Sequence, residues 1–307
     1  MGQGYAPLIG SAACRAGDLQ DAIEHVQPVP YTIDRLALLS DLRRGITRGE
    51  LVLHYQPKVN TCTSEIQSVE ALVRWQHPTR GLLAPDMFIP IAESTAVIHH
   101  LTDDVLRQAL AQARSWLDHG QMIPVAVNIS ARSLHDLDFP ATVQRHLHDA
   151  GVPGRILSLE LTESSIMTDP DRALTVLTAL AAMGVQLSID DFGTGYSSMS
   201  YLKRLPVCEL KIDRSFVKGL VNEPDDVVMV QSALDLGHNL GLVVVAEGVE
   251  DAATQDLLAA MGCDQVQGYH ISRPVPADQF DAWLARTHPR LTLSRSETPT
   301  VNESRAY

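Results

Sequence analysis

The chain has 307 residues, 45% of them apolar and 20% charged, enough to bury a full core and too apolar for a disordered chain or a stapled mini-protein. Its formal net charge of −13 argues against a broad electrostatic hold on nucleic acid or anionic lipid, so no direct nucleic-acid binding is expected. Cys14, Cys62, Cys208 and Cys263 form no CxxC pair and no long apolar run is present, which excludes a zinc ribbon and a membrane segment and fits a reducing cytoplasm.

Residues 1–32 mix Gly, Pro and Ala with isolated apolar positions, and read as an N-terminal extension or remnant linker. From Ile33, Leu36, Leu39, Leu42 and Ile46 recur at helical spacing until Gly49, which predicts a leading helix. Beyond it, β-rich runs cover Leu51 to Val59, Ile66 to Trp75, Val125 to Ser130, Ile156 to Thr162, Gln186 to Asp191, Glu209 to Asp213, Leu242 to Glu247 and Asp264 to Ile271. Helical patterns fall between them at Thr102 to His119, Ala141 to Ala150, Arg172 to Met183, Tyr196 to Arg204, Asp225 to Leu240 and Ala252 to Met261, and one more follows at Ala277 to Thr287. Strand then helix, repeated, builds a parallel sheet, and eight such strands in about 240 residues predict an α/β fold, a closed TIM-like (β/α)8 barrel over residues 33–288. The link near Thr61 to Glu65 is too short for a helical crossover, which leaves the first strand free to run antiparallel. Residues 289–307, rich in Thr, Ser, Arg and Glu, are expected to be a disordered tail.

In such a barrel the active site forms at the C-terminal strand ends. Those ends carry Glu70, Asn128, Glu160, Asp190 with Asp191, Lys211 with Asp213, Glu247 and Gln267. One strand-end carboxylate can simply cap the next helix. Five strands contributing carboxylates to one rim need cations among them, because crowded like charges repel. Oxygen donors and one Asn, without His or Cys, point to a hard ion such as magnesium or manganese. The twelve histidines include no H-E-x-x-H, and His146 and His148 lie two apart on a predicted helix, facing different ways. Asp191-Phe192-Gly193 is shared with the kinase magnesium triplet, yet the other kinase motifs are missing. Asp190 and Asp191 reach one metal pair only if their strand ends there. Two ions would clamp the attacking and leaving oxygens of an in-line displacement at phosphorus. Lys211 would then hold the nucleophilic water or balance charge, and Glu247 is the candidate general base.

These motifs resemble a known family. Glu70-Ala71-Leu72, inside Val69 to Trp75, is similar to the signature of EAL domains, the bacterial cyclic di-GMP phosphodiesterases. The likeness runs from Tyr55-Gln56-Pro57-Lys58 through Val127-Asn128-Ile129-Ser130, Glu160-Leu161-Thr162-Glu163-Ser164, Asp190 to Ser198, Lys211-Ile212-Asp213, Glu247-Gly248-Val249-Glu250 and Gln267-Gly268-Tyr269, to Ser272-Arg273-Pro274. The resemblance implies hydrolysis of cyclic di-GMP to linear pGpG with two magnesium or manganese ions. It implies that Glu70, Asn128, Glu160 and Asp190 hold the first ion, that Asp190, Asp191 and Glu247 serve the second, and that Lys211 and Glu247 are catalytic. Gln56, Arg74, Asp213 and Gln267 fall among the substrate contacts; Glu163 would brace the Asp-Asp-Phe-Gly loop, and Glu250 would play a supporting part. His270 departs from the apolar residue common at its position, outside the metal set. The resemblance further implies a homodimer, and the short N-terminal segment suggests a stand-alone phosphodiesterase with a remnant connector. The competing expectation is a non-catalytic cyclic di-GMP receptor or interaction module; a barrel acting on carbon acids is disfavoured by Asn128.

Overall fold

The computed structural model describes residues 29–193 and 199–288, so the expected extension before Val29 and the expected tail lie outside the described residues. Its leading helix, α1, spans Val29–Arg48 and starts ahead of Ile33, with Pro30 tolerated because the first helical turn needs no N–H partner. The strands are β1 (Leu51–Asn60), β2 (Ile66–His77), β3 (Gly81–Leu83), β4 (Val125–Asn128), β5 (Leu157–Thr162), β6 (Gln186–Phe192), β7 (Glu209–Ile212), β8 (Val243–Ala246), β9 (Gln265–Val266) and β10 (Val275–Pro276). The principal later helices are α2 (Val97–Asp118), α3 (Phe139–Ala150), α4 (Pro170–Ala182), α5 (Pro224–Asn239), α6 (Ala252–Ala260) and α7 (Ala277–Thr287).

The sheet closes in the order β1, β2, β4, β5, β6, β7, β8, β9 and back to β1. Neighbours from β2 through β9 are parallel, whereas β1 is antiparallel to both β2 and β9. The barrel therefore has the expected eight-stranded form, with an inverted first strand that the short Thr61 to Glu65 turn imposes. β3 and β10 hang outside the circle on β2 and β1; they are too short to give a sequence period.

Several elements differ from their expected bounds. β9 stops at Val266 rather than Ile271, because the chain turns through an Ile271 N–H to Gly268 carbonyl bond of 3.1 Å. β8 stops at Ala246, which leaves Glu247 leading the following loop. The helix expected from Tyr196 is described only as Met199–Leu202, since residues 194–198 lie outside the described set.

The outer shell follows from amphipathic spacing. α2 buries Val97, Leu101, Val105, Ala109, Ala113 and Trp116 along one stripe, each large side chain contributing about 1.5–3 kcal/mol. Trp116 meets Tyr55 of β1 at a centroid distance of 5.1 Å, so α2 and the inverted strand share one aromatic contact. Because residues alternate along β1, Tyr55 faces this shell while Gln56 and Lys58 face the barrel interior.

Candidate active site

The antiparallel register of β1 on β2 sets Gln56 opposite Glu70, and Gln267, just past β9, joins them. The Gln267 amide donates to Gln56 Oε1 at 3.0 Å and to Glu70 Oε2 at 2.6 Å. Asn128, the last residue of β4, donates from Nδ2 to Glu70 Oε1 at 2.6 Å. Both oxygens of Glu70 are thus fixed by amides from other strands.

Lys211 stands at the centre, its side chain 1% exposed. Its Nζ lies 2.8 Å from Glu160 Oε2, 3.2 Å from Asp190 Oδ1, 2.5 Å from Glu247 Oε1 and 3.8 Å from Glu70 Oε2. Burial would lower the Lys211 ammonium, yet Glu160, Glu247, Glu70 and Asp190 hold it well above its ordinary value. Burial would likewise raise Glu160, but Lys211 and Lys58 pull it down to about 2. Glu70 and Glu247 behave differently. Burial, with repulsion from Asp190 and other carboxylates, outweighs Lys211 and pushes Glu70 up to about 6 and Glu247 up to about 8. The cluster holds more negative charge than its lysines offset, and two of its members register the excess.

Asp190 and Asp191 reach the same rim by a route other than the expected strand end. β6 continues to Phe192, and a bulge between Ile189 and Phe192 shifts its register on β7. Asp191 sits at φ +54, a left-handed conformation that costs a non-glycine residue about 1–3 kcal/mol. The twist brings its N–H 3.0 Å from Asp190 Oδ1, and burial together with repulsion from Asp190 and Asp213 pushes the Asp191 carboxyl up. Asp213 also caps the short helix Arg214–Lys218 by accepting from Ser215 N, so here a helix cap and a rim carboxylate coincide.

A cavity of about 430 Å³ opens above this cluster, and Gln56, Arg74, Asp191, Asp213, Glu247 and Gln267 all line it. The half-buried Arg74 guanidinium donates to the Val73 carbonyl at 2.9 Å. Glu250, also on the wall, precedes the actual cap of α6, Asp251. Glu163 is not brought to this cavity. It is buried and lines a separate small cavity with Phe192 and Ile189.

The strand-end reading passed over several residues. Lys58 is 1% exposed and lies 3.1 Å from Glu160 Oε1; its signal was its place two residues after Gln56, on the same face of β1. Arg214 and Tyr269 also line the cavity, and the Arg273 guanidinium lies 4.2 Å from the Tyr269 ring centroid. None of the three lies in a strand, so strand periodicity could not find them.

Among the described residues no three His, Cys, Asp or Glu side chains already converge as a metal cage; the carboxylates instead surround Lys211. The donor chemistry nonetheless fits a hard divalent cation. Every acidic ligand candidate offers oxygen, and Asn128 commits Nδ2 to Glu70, leaving Oδ1 as its acceptor atom. Among the described residues no helix is long and apolar enough to cross a membrane.

Comparison with known proteins gives concordant matches. Residues 39–274 match the EAL domain family. The chain is 46% identical over 253 residues to the bifunctional diguanylate cyclase/cyclic di-GMP phosphodiesterase MucR of Pseudomonas aeruginosa, covering 82% of this chain and 37% of MucR. It is 38% identical over 251 residues to the cyclic di-GMP phosphodiesterase PdeR of Escherichia coli, covering 82% of this chain and 38% of PdeR. The chain therefore spans little more than a third of either relative. Among solved structures, the PaMucR phosphodiesterase in complex with c-di-GMP superposes with a TM-score of 0.77 at 46% identity, covering 80% of this chain and 99% of that one.

Proposed function

The chain belongs to the EAL domain family, and we propose that it is a metal-dependent phosphodiesterase that opens one phosphodiester bond of cyclic di-GMP to give linear pGpG. The observation that carries this reading is Lys211 held by four carboxylates, of which Glu70 and Glu160 are buried and Asp190 and Glu247 open onto the cavity above. Such a charge excess suits a polyanionic substrate only if divalent cations mediate between them. By the family pattern Glu70, Asn128, Glu160 and Asp190 would hold one magnesium or manganese ion, and Asp190, Asp191 and Glu247 a second. When bound, the pair supplies Lewis-acid stabilisation of the attacking and leaving oxygens of an in-line displacement.

The chain's own residues do the rest. Glu247 Oε1, 2.5 Å from Lys211 Nζ, takes the proton from the attacking water, and the ammonium steadies the resulting charge distribution. Asn128 and Gln267 hold Glu70 in place, Gln56 steadies Gln267, and both glutamines face the cavity, where Arg74 supplies a cation for a phosphate or a guanine edge. Asp213 shares the cavity wall with Asp191 and faces the substrate, and Glu163 and Glu250 act as supporting carboxylates. A homodimer belongs to the same reading, with exposed Val228 and Met229 on α5 as available apolar surface. A reducing cytoplasm suits the free thiols of Cys62, Cys208 and Cys263.

The test is a chromatographic time course of the purified chain with cyclic di-GMP and manganese or magnesium, beside a chelated sample. Metal-dependent appearance of pGpG is expected. Bound but uncleaved nucleotide under every divalent metal would replace this reading with that of a receptor.

A further inference from the structure

We propose that Lys58 is a positioning residue that anchors Glu160 from the barrel interior and so fixes one wall of the metal-binding rim. The inference rests on the reading above and adds to it a residue outside the strand ends.

Five charged side chains form a column through the barrel, its three middle members fully buried. Glu209 Oε1 lies 2.7 Å from Lys58 Nζ, which lies 3.1 Å from Glu160 Oε1. Glu160 Oε2 lies in turn 2.8 Å from Lys211 Nζ, which reaches Glu247 at 2.5 Å. The side chains of Glu160, Lys58 and Lys211 are 0%, 1% and 1% exposed, while Glu209 at the foot of the column is 14% exposed. Register explains the stacking. Glu209 and Lys211 are alternate residues of β7, and Gln56 and Lys58 alternate residues of β1, so each pair faces the same interior. Since β1 is inverted, Lys58 lies one layer deeper than Gln56, away from the rim where Glu70 stands opposite Gln56.

The interior of such a barrel is ordinarily filled by layers of branched apolar side chains. Replacing a buried ion pair by apolar residues is often neutral or stabilising, so fold stability alone gives little reason for Lys58. Its geometry supplies another. Glu160 has two oxygens and two lysines, one to each. With Oε1 tied to Lys58, the carboxylate cannot swing down the barrel or rotate to give Lys211 both oxygens, and Oε2 stays on the side of the rim. Glu209 prevents Lys58 from following Glu160 upward. Lys58 touches neither the cavity nor any reacting atom, so it acts through Glu160.

The experiment compares the wild-type full chain with Lys58→Met, which keeps the stem and removes the charge, and Glu209→Gln, which loosens the lower anchor. Manganese binding without nucleotide, read by electron paramagnetic resonance of the free ion, is measured beside kcat, KM and melting temperature. For Lys58→Met, manganese affinity and kcat are expected to fall by about 10- to 100-fold, as for other residues that orient metal ligands, with KM for cyclic di-GMP little changed. Glu209→Gln should move both in the same direction by less. A Lys58→Met protein that loses melting temperature but keeps wild-type manganese affinity and kcat overturns the proposal. Tighter manganese binding overturns it too, because that is what simple removal of a positive charge predicts. If Lys58→Met does not fold, unchanged manganese affinity in Glu209→Gln is the overturning result. Weaker manganese binding in these variants alongside a wild type that does not hydrolyse cyclic di-GMP would uphold the role of Lys58 and remove the hydrolase reading.

Discussion

Glu247 and Glu160 both contact Lys211, yet burial and neighbouring carboxylates push the first up to about 8 while two lysines hold the second near 2. Glu160 therefore stays charged through neutrality, whereas Glu247 takes up a proton as the pH falls below about 8. Glu247→Gln is expected to lower turnover by about 10²- to 10⁴-fold, the usual worth of a general base, while cyclic di-GMP still binds. A paired measurement of pGpG formation and calorimetric nucleotide binding checks this, and wild-type turnover in that variant would remove Glu247 from the chemistry. At this scale Asn128, Glu160 and Glu247 were legible in the sequence because parallel strands deliver their ends to one rim, whereas Glu70 lies well inside β2, which runs on to His77, and Asp190 lies within the bulged stretch of β6. Lys58 was not legible. β1 runs the other way, so its C-terminal end points away from the site and the residues that matter sit in its middle.

Two local backbone features shape the elements that carry these residues. The bulge in β6 lets consecutive aspartates approach one site, although alternation alone would send them to opposite faces. At the closing seam, a Cβ on Gly268 would stand 2.1 Å from the Val249 carbonyl oxygen and 2.3 Å from its nitrogen. Backbone cannot yield there without breaking the Val249 N–H to Gln267 carbonyl bond of 3.1 Å. Gly268→Ala is therefore expected to cost at least the 1–3 kcal/mol typical of overpacking, about 2 kcal/mol, and to misplace Gln267. Gly49→Ala, at φ +70 with no atom near its added methyl, should cost only about 1 kcal/mol. Chemical denaturation of the two variants checks the order; equal losses would show that the seam is not tight. The motif Gln267-Gly268-Tyr269 marked this place in the sequence, but the clash that requires glycine comes from a loop about twenty residues earlier.

Over the whole molecule, the rim gathers carboxylates from β2, β5, β6 and the loop after β8 around one lysine of β7, so cations that bind it should stabilise the fold as well as serve the reaction. With manganese at about 100 times its dissociation constant, the linkage amounts to about 2.7 kcal/mol, enough to raise the melting temperature by several degrees for a barrel of this size. A chelator should reverse the rise, and Glu70→Gln should remove most of it. Thermal melts with and without manganese decide the matter: an identical rise in Glu70→Gln would place the ion elsewhere.

Residue order by itself determined the strand and helix alternation and which acidic residues follow the β-rich runs, and it left room for an inverted first strand, because these follow from local periodicity and from a loop too short to cross over. Only the tertiary structure decided that Lys211 is shared by four carboxylates, that β6 bulges at Asp191, that Gly268 lies against Val249 and that Lys58 props Glu160 from below. Those are contacts between residues tens to more than a hundred positions apart, and they exist only once barrel closure has set the register of every strand against its neighbours.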